Sequence, residues 1–361
     1  MRASLGSVVA LSLLVTAVAG GALLFVALLR APAPPPSSLL AIGSSQGFFL
    51  ANADGSDPRA VANDGPYFVP QWSPDGTMVA ATAVIGDEGN MLTVFAADGS
   101  VAVRIPGVTD LRWSSLGGAL AISAFPETRL QVVSPGPRPG DGGAGEVLSL
   151  TLPQQARRIV GFDWAPDGRH LAVGIVLGAD PEAAPTLWLV PADGRPAKAV
   201  PGDGRGASSF PEWSPDGRRI AVTTPDRCDG ATDCPSIVRI LDATSGLRQA
   251  EVENLWAPAT VRWSPDGTML ALDAILPEDR VLRRQREVFV YTLADNSVRR
   301  ITGTPDGRTW LLGWAPDGSS LLVSREAGPT DAREAWRLDV PSGAGLLLAD
   351  DAHGVALQPQ P

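Results

Sequence analysis

Residues 72–80 read Trp-Ser-Pro-Asp-Gly-Thr-Met-Val-Ala, and related blocks recur along the chain at intervals of about 40 to 50 residues. The blocks begin at Trp72, Trp113, Trp164, Trp213, Trp263 and Trp314. A self-similar period of this length is typical of repeat architectures, in which each unit buries its apolar faces against its neighbours. The repeat therefore decides the fold.

Each repeat predicts four short strands. One strand ends at the Trp, a second follows the Pro-Asp-Gly turn, and two more lie on either side of a later Gly-containing turn. Residues 92–95 (Leu-Thr-Val-Phe), followed by 97–100 (Ala-Asp-Gly-Ser), show the later pattern. Alternating apolar residues with Gly punctuation favour antiparallel hairpins over helices. We predict an all-β fold, a β-propeller of four-stranded blades.

Two fragments at the ends predict one further blade. Residues 40–61 contain the last three strands of a unit without a preceding Trp block. Residues 354–359 resemble a first strand, with Leu357 in the Trp place and Pro359 in the Pro place. The fragments complete one another, which predicts seven blades closed by the C-terminal strand. Six blades with loose ends is the alternative.

With these Trp-Ser-Pro-Asp-Gly blocks, residues 39–361 resemble the TolB-type propeller family. Its repeats are related to the WD repeat and occur in periplasmic TolB and in the propellers of prolyl oligopeptidase-like enzymes. The resemblance implies the fold but no single function. The repeats cover nearly all of residues 39–361. The sequence therefore departs from TolB, which has a separate α/β domain, and from the oligopeptidases, which have a hydrolase domain.

The recurring Asp and Trp residues predict structural roles. The Asp of the block is found at Asp75, Asp167, Asp216, Asp266 and Asp317, and Leu116 takes its place in the second block. An active site is normally built once, whereas a turn is needed in every blade. Pro presets φ before the Asp and Gly adopts a positive φ after it. Each Trp is expected to pack between blades with its N–H satisfied locally.

The N-terminus predicts a membrane anchor at residues 1–30. Residues 5–29 carry no charge and, as a helix, are long enough to cross a hydrocarbon core of about 30 Å. Arg2 and the amino terminus before the span favour a cytoplasmic N-terminus, with the propeller on the extracytoplasmic side of the cell membrane. The alternative is a cleaved signal peptide ending near Ala17-Val18-Ala19. Residues 31–38 form a Pro-rich linker, and the propeller spans residues 39–361.

Charge and cysteine usage limit the partners. With 29 Lys and Arg against 39 Asp and Glu, the net charge of −10 argues against binding to nucleic acid. Cys228 and Cys234 lie in one polar segment, where a disulfide fits an oxidising compartment. A two-cysteine metal site is the alternative, but no His lies nearby. We predict no metal site and no cofactor.

Catalytic motifs are weak. Residues 43–47 (Gly-Ser-Ser-Gln-Gly) match the G-x-S-x-G pattern of serine hydrolases. A nucleophile elbow leads into a helix, whereas Phe48-Phe49-Leu50 predicts a strand. Of the two histidines of the chain, His170 occupies a block position that holds other residue types in the other blades and is interpreted as unspecialised, whereas His353 is interpreted as a surface residue. No catalytic residue is predicted.

Long connections predict the binding face. Residues 63–70, 201–211, 226–236, 277–287 and 302–313 share one face of the ring, whereas the excursion at 134–146 lies on the face of the tight turns. Long loops on a rigid scaffold commonly bind ligands, and aromatic and Arg side chains are favoured anchors. The candidate ligand-binding residues are Tyr67, Phe68, Phe210, Trp256, Trp310, Arg280, Arg283, Arg284 and Arg286. Alternatively, the aromatics plug the channel mouth and the Arg side chains pair with Glu278, Asp279 and Glu287.

These features predict a membrane-tethered, extracytoplasmic, non-enzymatic binding platform for a protein, peptide or envelope polymer. The alternative is a propeller enzyme, a lyase or hydrolase whose channel-mouth site uses Asp, Glu and Arg, since the fold alone excludes no activity. A purely structural accessory of an envelope complex is a third possibility.

Overall fold

Seven four-stranded antiparallel sheets make up the described part of the chain. The computed structural model describes residues 38–85, 89–124, 128–135, 144–180, 183–201, 209–225, 236–252, 255, 258–275, 285–303, 308–326 and 333–359. The innermost strands of consecutive sheets contact one another, and the innermost strand of the last sheet contacts that of the first. The fold is therefore a closed seven-bladed β-propeller, as the repeat predicts.

The blades are numbered along the chain and each is given from its innermost strand outward. Blade 1 comprises β28 (Gly354–Leu357), β1 (Leu39–Ser44), β2 (Gly47–Asn52) and β3 (Arg59–Ala62). Blade 2 comprises β4 (Tyr67–Trp72), β5 (Met78–Ile85), β6 (Gly89–Ala96) and β7 (Val101–Pro106). Blade 3 comprises β8 (Val108–Trp113), β9 (Leu120–Ala124), β10 (Arg129–Pro135) and β11 (Ala144–Ser149).

The remaining four blades follow the same order. Blade 4 comprises β12 (Ala156–Trp164), β13 (His170–Leu177), β14 (Thr186–Pro191) and β15 (Lys198–Ala199). Blade 5 comprises β16 (Ser209–Trp213), β17 (Arg219–Pro225), β18 (Ser236–Asp242) and β19 (Arg248–Val252). Blade 6 comprises β20 (Val261–Trp263), β21 (Met269–Ile275), β22 (Arg286–Thr292) and β23 (Ser297–Arg300). Blade 7 comprises β24 (Thr309–Trp314), β25 (Ser320–Glu326), β26 (Arg333–Asp339) and β27 (Gly345–Ala349).

The C-terminal strand closes the ring. Strand β28 pairs antiparallel with β1, in a register that sets Leu357 opposite Leu40 and Gly354 opposite Gly43. Val355 and Leu357 are buried in the core cluster shared with blade 7. Blade 1 is therefore assembled from both ends of the propeller, and seven blades are confirmed over six.

Burial follows the position of each strand in its blade. The second strand is buried almost throughout, as in β13, because neighbouring blades cover both of its faces. The outermost strand is exposed, as in β23, whose four residues all face solvent. The core is consequently a series of apolar clusters, most of them shared between adjacent blades.

The block Asp closes the turn between the first two strands. In blade 2, Oδ1 of Asp75 accepts hydrogen bonds from Ser73 Oγ at 2.6 Å and from the Thr77 amide at 3.1 Å. Gly76 follows with a φ of 68°, which a residue with a side chain adopts only at a cost. These contacts make the Asp a turn-forming residue, since it satisfies backbone and side-chain donors inside the turn.

Blade 3 lacks this carboxylate. Leu116 stands in the Asp place and is 72% exposed. We expect Leu116→Asp to stabilise the protein by about 1 kcal/mol, because Ser114 then gains the acceptor that Ser214 and Ser264 have in their own turns. Urea denaturation measures the change, with Leu116→Ala as the control that removes the leucine without adding a carboxylate. Equal stability of the two variants contradicts the expectation.

The block Trp residues link neighbouring blades. The indole N–H of Trp113 donates to the Gln71 carbonyl at 2.9 Å, and that of Trp263 donates to the Glu212 carbonyl at 3.1 Å. Equivalent bonds run from Trp72 to Ala356, Trp164 to Arg112 and Trp314 to Arg262. The partner thus lies in the preceding blade rather than locally, because the innermost strand is a sheet edge whose outward carbonyls have no strand partner.

Trp213 provides an internal control, because its buried indole N–H has no hydrogen-bond partner among the described residues. We expect Trp113→Phe to lower the free energy of unfolding by about 1 kcal/mol more than Trp213→Phe does. Only the first substitution leaves a backbone carbonyl without its donor. Chemical denaturation of both variants checks this, and equal losses contradict it.

The predicted membrane segment lies outside the described residues, as does all of the linker except Ser38. Within the described part of the chain, no helix has the length and apolar character needed to cross a bilayer. The anchor and the alternative signal peptide remain predictions.

Candidate functional site

A cavity of about 480 Å³ lies where the innermost strands of all seven blades converge. Its charged lining residues are Arg112, Asp163, Glu212, Arg262 and Arg333. Trp310, Ser324 and His353 also line it, and each lies next to a connection on the long-loop face. The cavity therefore lies in the channel and reaches the long-loop end on blades 7 and 1, and its size is within the range of about 300–1000 Å³ typical of ligand pockets.

One register position supplies most of the charge. The residue immediately before the block Trp is Gln71, Arg112, Asp163, Glu212 and Arg262 in blades 2 to 6, and all five line the cavity. Side chains alternate between the two faces of a strand, so the residue before a Trp that enters one blade interface points to the other side. In blades 7 and 1 this position holds Gly313 and Ala356. The charge is therefore concentrated on one arc of the wall.

The two arginines of this arc are held by carboxylates. Nη1 of Arg112 lies 2.9 Å from Asp110 and donates to the Leu111 carbonyl at 2.8 Å. Nη1 of Arg262 lies 3.0 Å from Glu212 Oε2 and makes the equivalent bond to the carbonyl of its preceding residue. Both guanidinium groups are thus fixed against their own strands.

Asp163 has a different environment. Its Oδ2 accepts a hydrogen bond from the Trp213 amide of the next blade at 2.8 Å. Among the described residues no arginine hydrogen-bonds to Asp163. Burial and the nearby Glu212 raise the pKa of Asp163 to about 8, although Trp213, Arg112 and Arg262 act in the opposite direction. Burial also raises the pKa of Glu212 against the influence of both arginines.

Trp310, Arg333 and His353 line the opposite wall, and Phe68 packs on one of them. The Arg333 guanidinium lies over the Trp310 ring, with its carbon 4.7 Å from the ring centroid. Phe68 stacks on His353 with centroids 4.7 Å apart and an interplanar angle of 7°. His353 is held by its amide, which donates to the Gly43 carbonyl at 2.7 Å. This histidine, interpreted from sequence as a surface residue, instead lines the cavity.

Two residues near the cavity adopt strained backbone conformations. Val69 and Phe210 have φ values of 44° and 49°, and both are 53% exposed. Each lies three residues before its block Trp, at a register shift in β4 and β16 respectively. Gly161 makes room for Phe210, since a Cβ there would lie 2.9 Å from the Phe210 Cα. Strain of this kind persists where surrounding structure fixes it and is common at binding sites.

The sequence-predicted aromatic residues fall into two groups. Phe68, Phe210 and Trp310 lie at the long-loop end of the ring, whereas Tyr67 is fully buried against Phe48 and Phe95. Its hydroxyl donates to Asp64 at 2.9 Å, and burial raises the pKa of Tyr67 to about 12. Tyr67 therefore supports the wall and offers no surface to a ligand.

The predicted arginine cluster is represented by Arg286 alone. Its guanidinium pairs with the buried Asp273 at 2.5 Å, and the buried Glu287 pairs with Arg300 at 2.8 Å. Arg286 is therefore engaged in the core of blade 6. The other predicted residues of this region and the cysteines lie outside the described residues: Trp256, Arg280, Arg283, Arg284, Glu278, Asp279, Cys228 and Cys234.

Sequence reasoning missed most of the cavity lining. A sequence signal was available for four of these residues, because each immediately precedes a block Trp: Arg112, Asp163, Glu212 and Arg262. No such signal marks Arg333, since it begins the third strand of its blade and its place at the cavity comes from lying over the Trp310 ring.

Comparisons with known proteins match the fold. No protein-family model matches the chain, and no curated protein matches it. Among solved structures, the chain is similar to TolB from Agrobacterium tumefaciens, with a TM-score of 0.51, 17% identity, and coverage of 72% of this chain and 94% of that chain. The fold is that of a TolB-like β-propeller.

Other similar structures carry different functions. Hydrazine synthase from Kuenenia stuttgartiensis matches with a TM-score of 0.56, 15% identity, and coverage of 75% of this chain and 76% of that chain. A chain of the mitotic checkpoint complex matches with a TM-score of 0.56, 15% identity, and coverage of 83% and 84%. At such identities the likeness of the TolB-like propeller to these proteins shows the fold alone.

Proposed function

We propose that this TolB-like propeller is a membrane-tethered, extracytoplasmic binding platform. In this proposal residues 1–30 anchor the chain in the cell membrane, and the long-loop end binds a protein, peptide or envelope polymer without chemical change. The cavity is the observation that supports this function best, because it combines a charged arc with an aromatic wall on a rigid ring. A chain of the mitotic checkpoint complex has a similar fold and belongs to a protein assembly, which supports a protein as the partner.

A protein partner is the form of ligand that the site favours. Trp310, Phe68 and the exposed Phe210 are aromatic residues, which are enriched at protein interfaces. Their neighbours Arg333 and His353 add polar groups beside the rings. A partner would insert a segment into the cavity while its body rests on the loops around it.

A double variant tests this function. We expect Phe68→Ala combined with Trp310→Ala to reduce the amount of co-purified partner at least about tenfold after crosslinking in intact cells, because two aromatic anchors are lost. Leu116→Ala, on the opposite face, is the matched control and should retain the partner. Melting curves of the variants confirm that the ring stays folded. Undiminished retention by the double variant contradicts the proposal.

An enzyme is the second candidate, and Asp163 is the observation that favours it. Two neighbouring carboxyls with raised pKa values, one of them about 8, resemble pairs that serve as acid and base. Hydrazine synthase, an enzyme, also has a chain of similar fold, which supports this second candidate. Turnover of an envelope substrate that disappears in Asp163→Asn would favour this candidate, and turnover that persists in the variant would exclude Asp163 from the chemistry.

A further inference from the structure

Within the charged arc of the cavity, Asp163 has no arginine hydrogen-bonded to it among the described residues. Asp163 and Glu212 lie on adjacent innermost strands. Both carboxyls are close enough to Arg112 and Arg262 for the two positive charges to lower their pKa values. Arg262 hydrogen-bonds to Glu212, and Arg112 hydrogen-bonds to Asp110, outside the pair. Oδ1 of Asp163 and Oε1 of Glu212 accept no hydrogen bond from the described residues. The arc therefore presents two open carboxyl oxygens and no cation committed to Asp163.

A second polar group points to a ligand from the other wall. Ser324 lines the cavity on blade 7, is 2% exposed, and its buried Oγ has no hydrogen-bond partner among the described residues. Buried hydroxyls are normally satisfied, so an unsatisfied one in a cavity wall is explained by a ligand or an ordered water. Blade 7 lies across the ring from blades 3 and 4, and blade 4 carries Asp163.

The donor set favours an ammonium group over a metal ion. An ammonium carries three N–H donors and one positive charge, which match two open carboxyl oxygens and leave a donor for another acceptor. A divalent cation needs more oxygen ligands than two carboxyls supply. Within the described ranges no group of three or more His, Cys, Asp and Glu residues is placed to hold a metal.

The size and rim of the cavity favour a peptide as the carrier. About 480 Å³ admits the end of a chain or one long side chain but no folded domain. Trp310 lines the cavity, and Phe68 stacks on the lining His353, so an apolar stem could pack against this wall behind the charged head.

We infer that the cavity binds a primary ammonium group of an inserted peptide, with Asp163, which releases its proton to solvent when the ammonium binds, as its counter-ion and Glu212 as a second acceptor. This inference rests on the proposed function and specifies the ligand of the same site. The ammonium group belongs either to the amino terminus of the peptide or to a lysine side chain, and both present the same donors.

Three peptide probes test the inference on the full-length protein. The probes are tri-alanine amide with a free amino terminus, the same peptide acetylated, and acetyl-Ala-Lys-Ala amide, each titrated by calorimetry up to millimolar concentration. We expect at least one probe with an ammonium group to bind about 30-fold or more tightly than the acetylated tri-alanine, since the charge pair is desolvated in the cavity. Preference for the first or the third probe identifies the terminus or the lysine.

Asp163→Asn should abolish this preference, whereas Asp54→Asn, in an exposed turn of blade 1, should leave it unchanged. Equal binding of all three probes overturns the ammonium inference but leaves a peptide-binding platform intact. Preference retained in Asp163→Asn also overturns it. Failure of every probe to bind overturns it as well, and co-purification of a partner by the wild-type protein then decides separately on the proposed function.

Discussion

Asp163→Asn is expected to make the protein more resistant to unfolding than the wild type at pH 9 and to change its stability little near pH 4. The folded-state pKa of Asp163 is raised from 3.8 to about 8 by burial and by Glu212. Its carboxyl therefore holds a proton in the folded protein that the unfolded chain releases above about pH 4. The resulting stabilisation is complete below the unfolded pKa and is lost as the pH rises through about 8.

An asparagine at this position has no charge to bury at any of these pH values. We expect the difference in unfolding free energy between variant and wild type to grow from pH 4 to pH 9 and to exceed about 1 kcal/mol at the upper end. Arg112 and Arg262 face the same carboxyl and keep their charge throughout this range. Urea denaturation at several pH values measures the difference.

Asp54→Asn is the control, and its effect on stability is expected to change with pH in the opposite direction. Hydrogen bonds from Ser56 lower the pKa of Asp54, so its contribution is present above the unfolded pKa and is lost as the pH falls. A difference for Asp163→Asn that stays constant between pH 4 and pH 9 would show that its carboxyl titrates normally in the folded state.

Deletion of residues 354–361 is expected to have the largest effect on stability. It removes β28 and with it the four-residue pairing to β1. Val355 and Leu357 leave the core, and Trp72 loses the Ala356 carbonyl to which its indole N–H donates. Burial of two such side chains and these hydrogen bonds together contribute about 5 kcal/mol or more, which is comparable to the whole stability of many domains.

Thermal melting followed by circular dichroism should therefore show the deletion variant unfolded, or cooperative melting at a much lower temperature than in the wild type. Deletion of residues 360–361 alone is the control and should leave the melting temperature unchanged. A peptide of residues 353–359 added to the larger deletion should restore part of the loss. Unchanged melting of that deletion would contradict closure of the ring by β28.

The blades could be predicted because their signals are local and repeated. The Trp and Gly of each block, and the Pro and Asp of five of the six, act within one turn and one blade interface, so the same local interactions recur in six copies. The split blade followed from Leu357, which occupies the place of a Trp and is buried as one would be. The acceptors of five of the six Trp N–H groups were missed, since each lies one blade earlier and depends on the closed ring.

The site could be predicted only in part, because it is asymmetric. The position before the Trp varies from Gln71 to Arg112 to Asp163 around the ring, and such variation suggests an unspecialised place when blades are compared. The copies of this position surround one channel, so the differences between them create one asymmetric site. Tyr67 shows the converse: this aromatic residue beside a long loop begins a strand and faces the core, which its sequence position does not reveal.

Photo-crosslinking from the two faces of the ring tests the binding platform most directly. A crosslinking phenylalanine analogue is placed at Phe210, which is 53% exposed near the cavity, or at Leu116, which is 72% exposed on the face of the tight turns. Each variant of the full-length protein is irradiated in intact cells and purified through a C-terminal tag. Binding at the long-loop end predicts a discrete adduct from position 210 and none from position 116. Adducts from position 116 alone would contradict it.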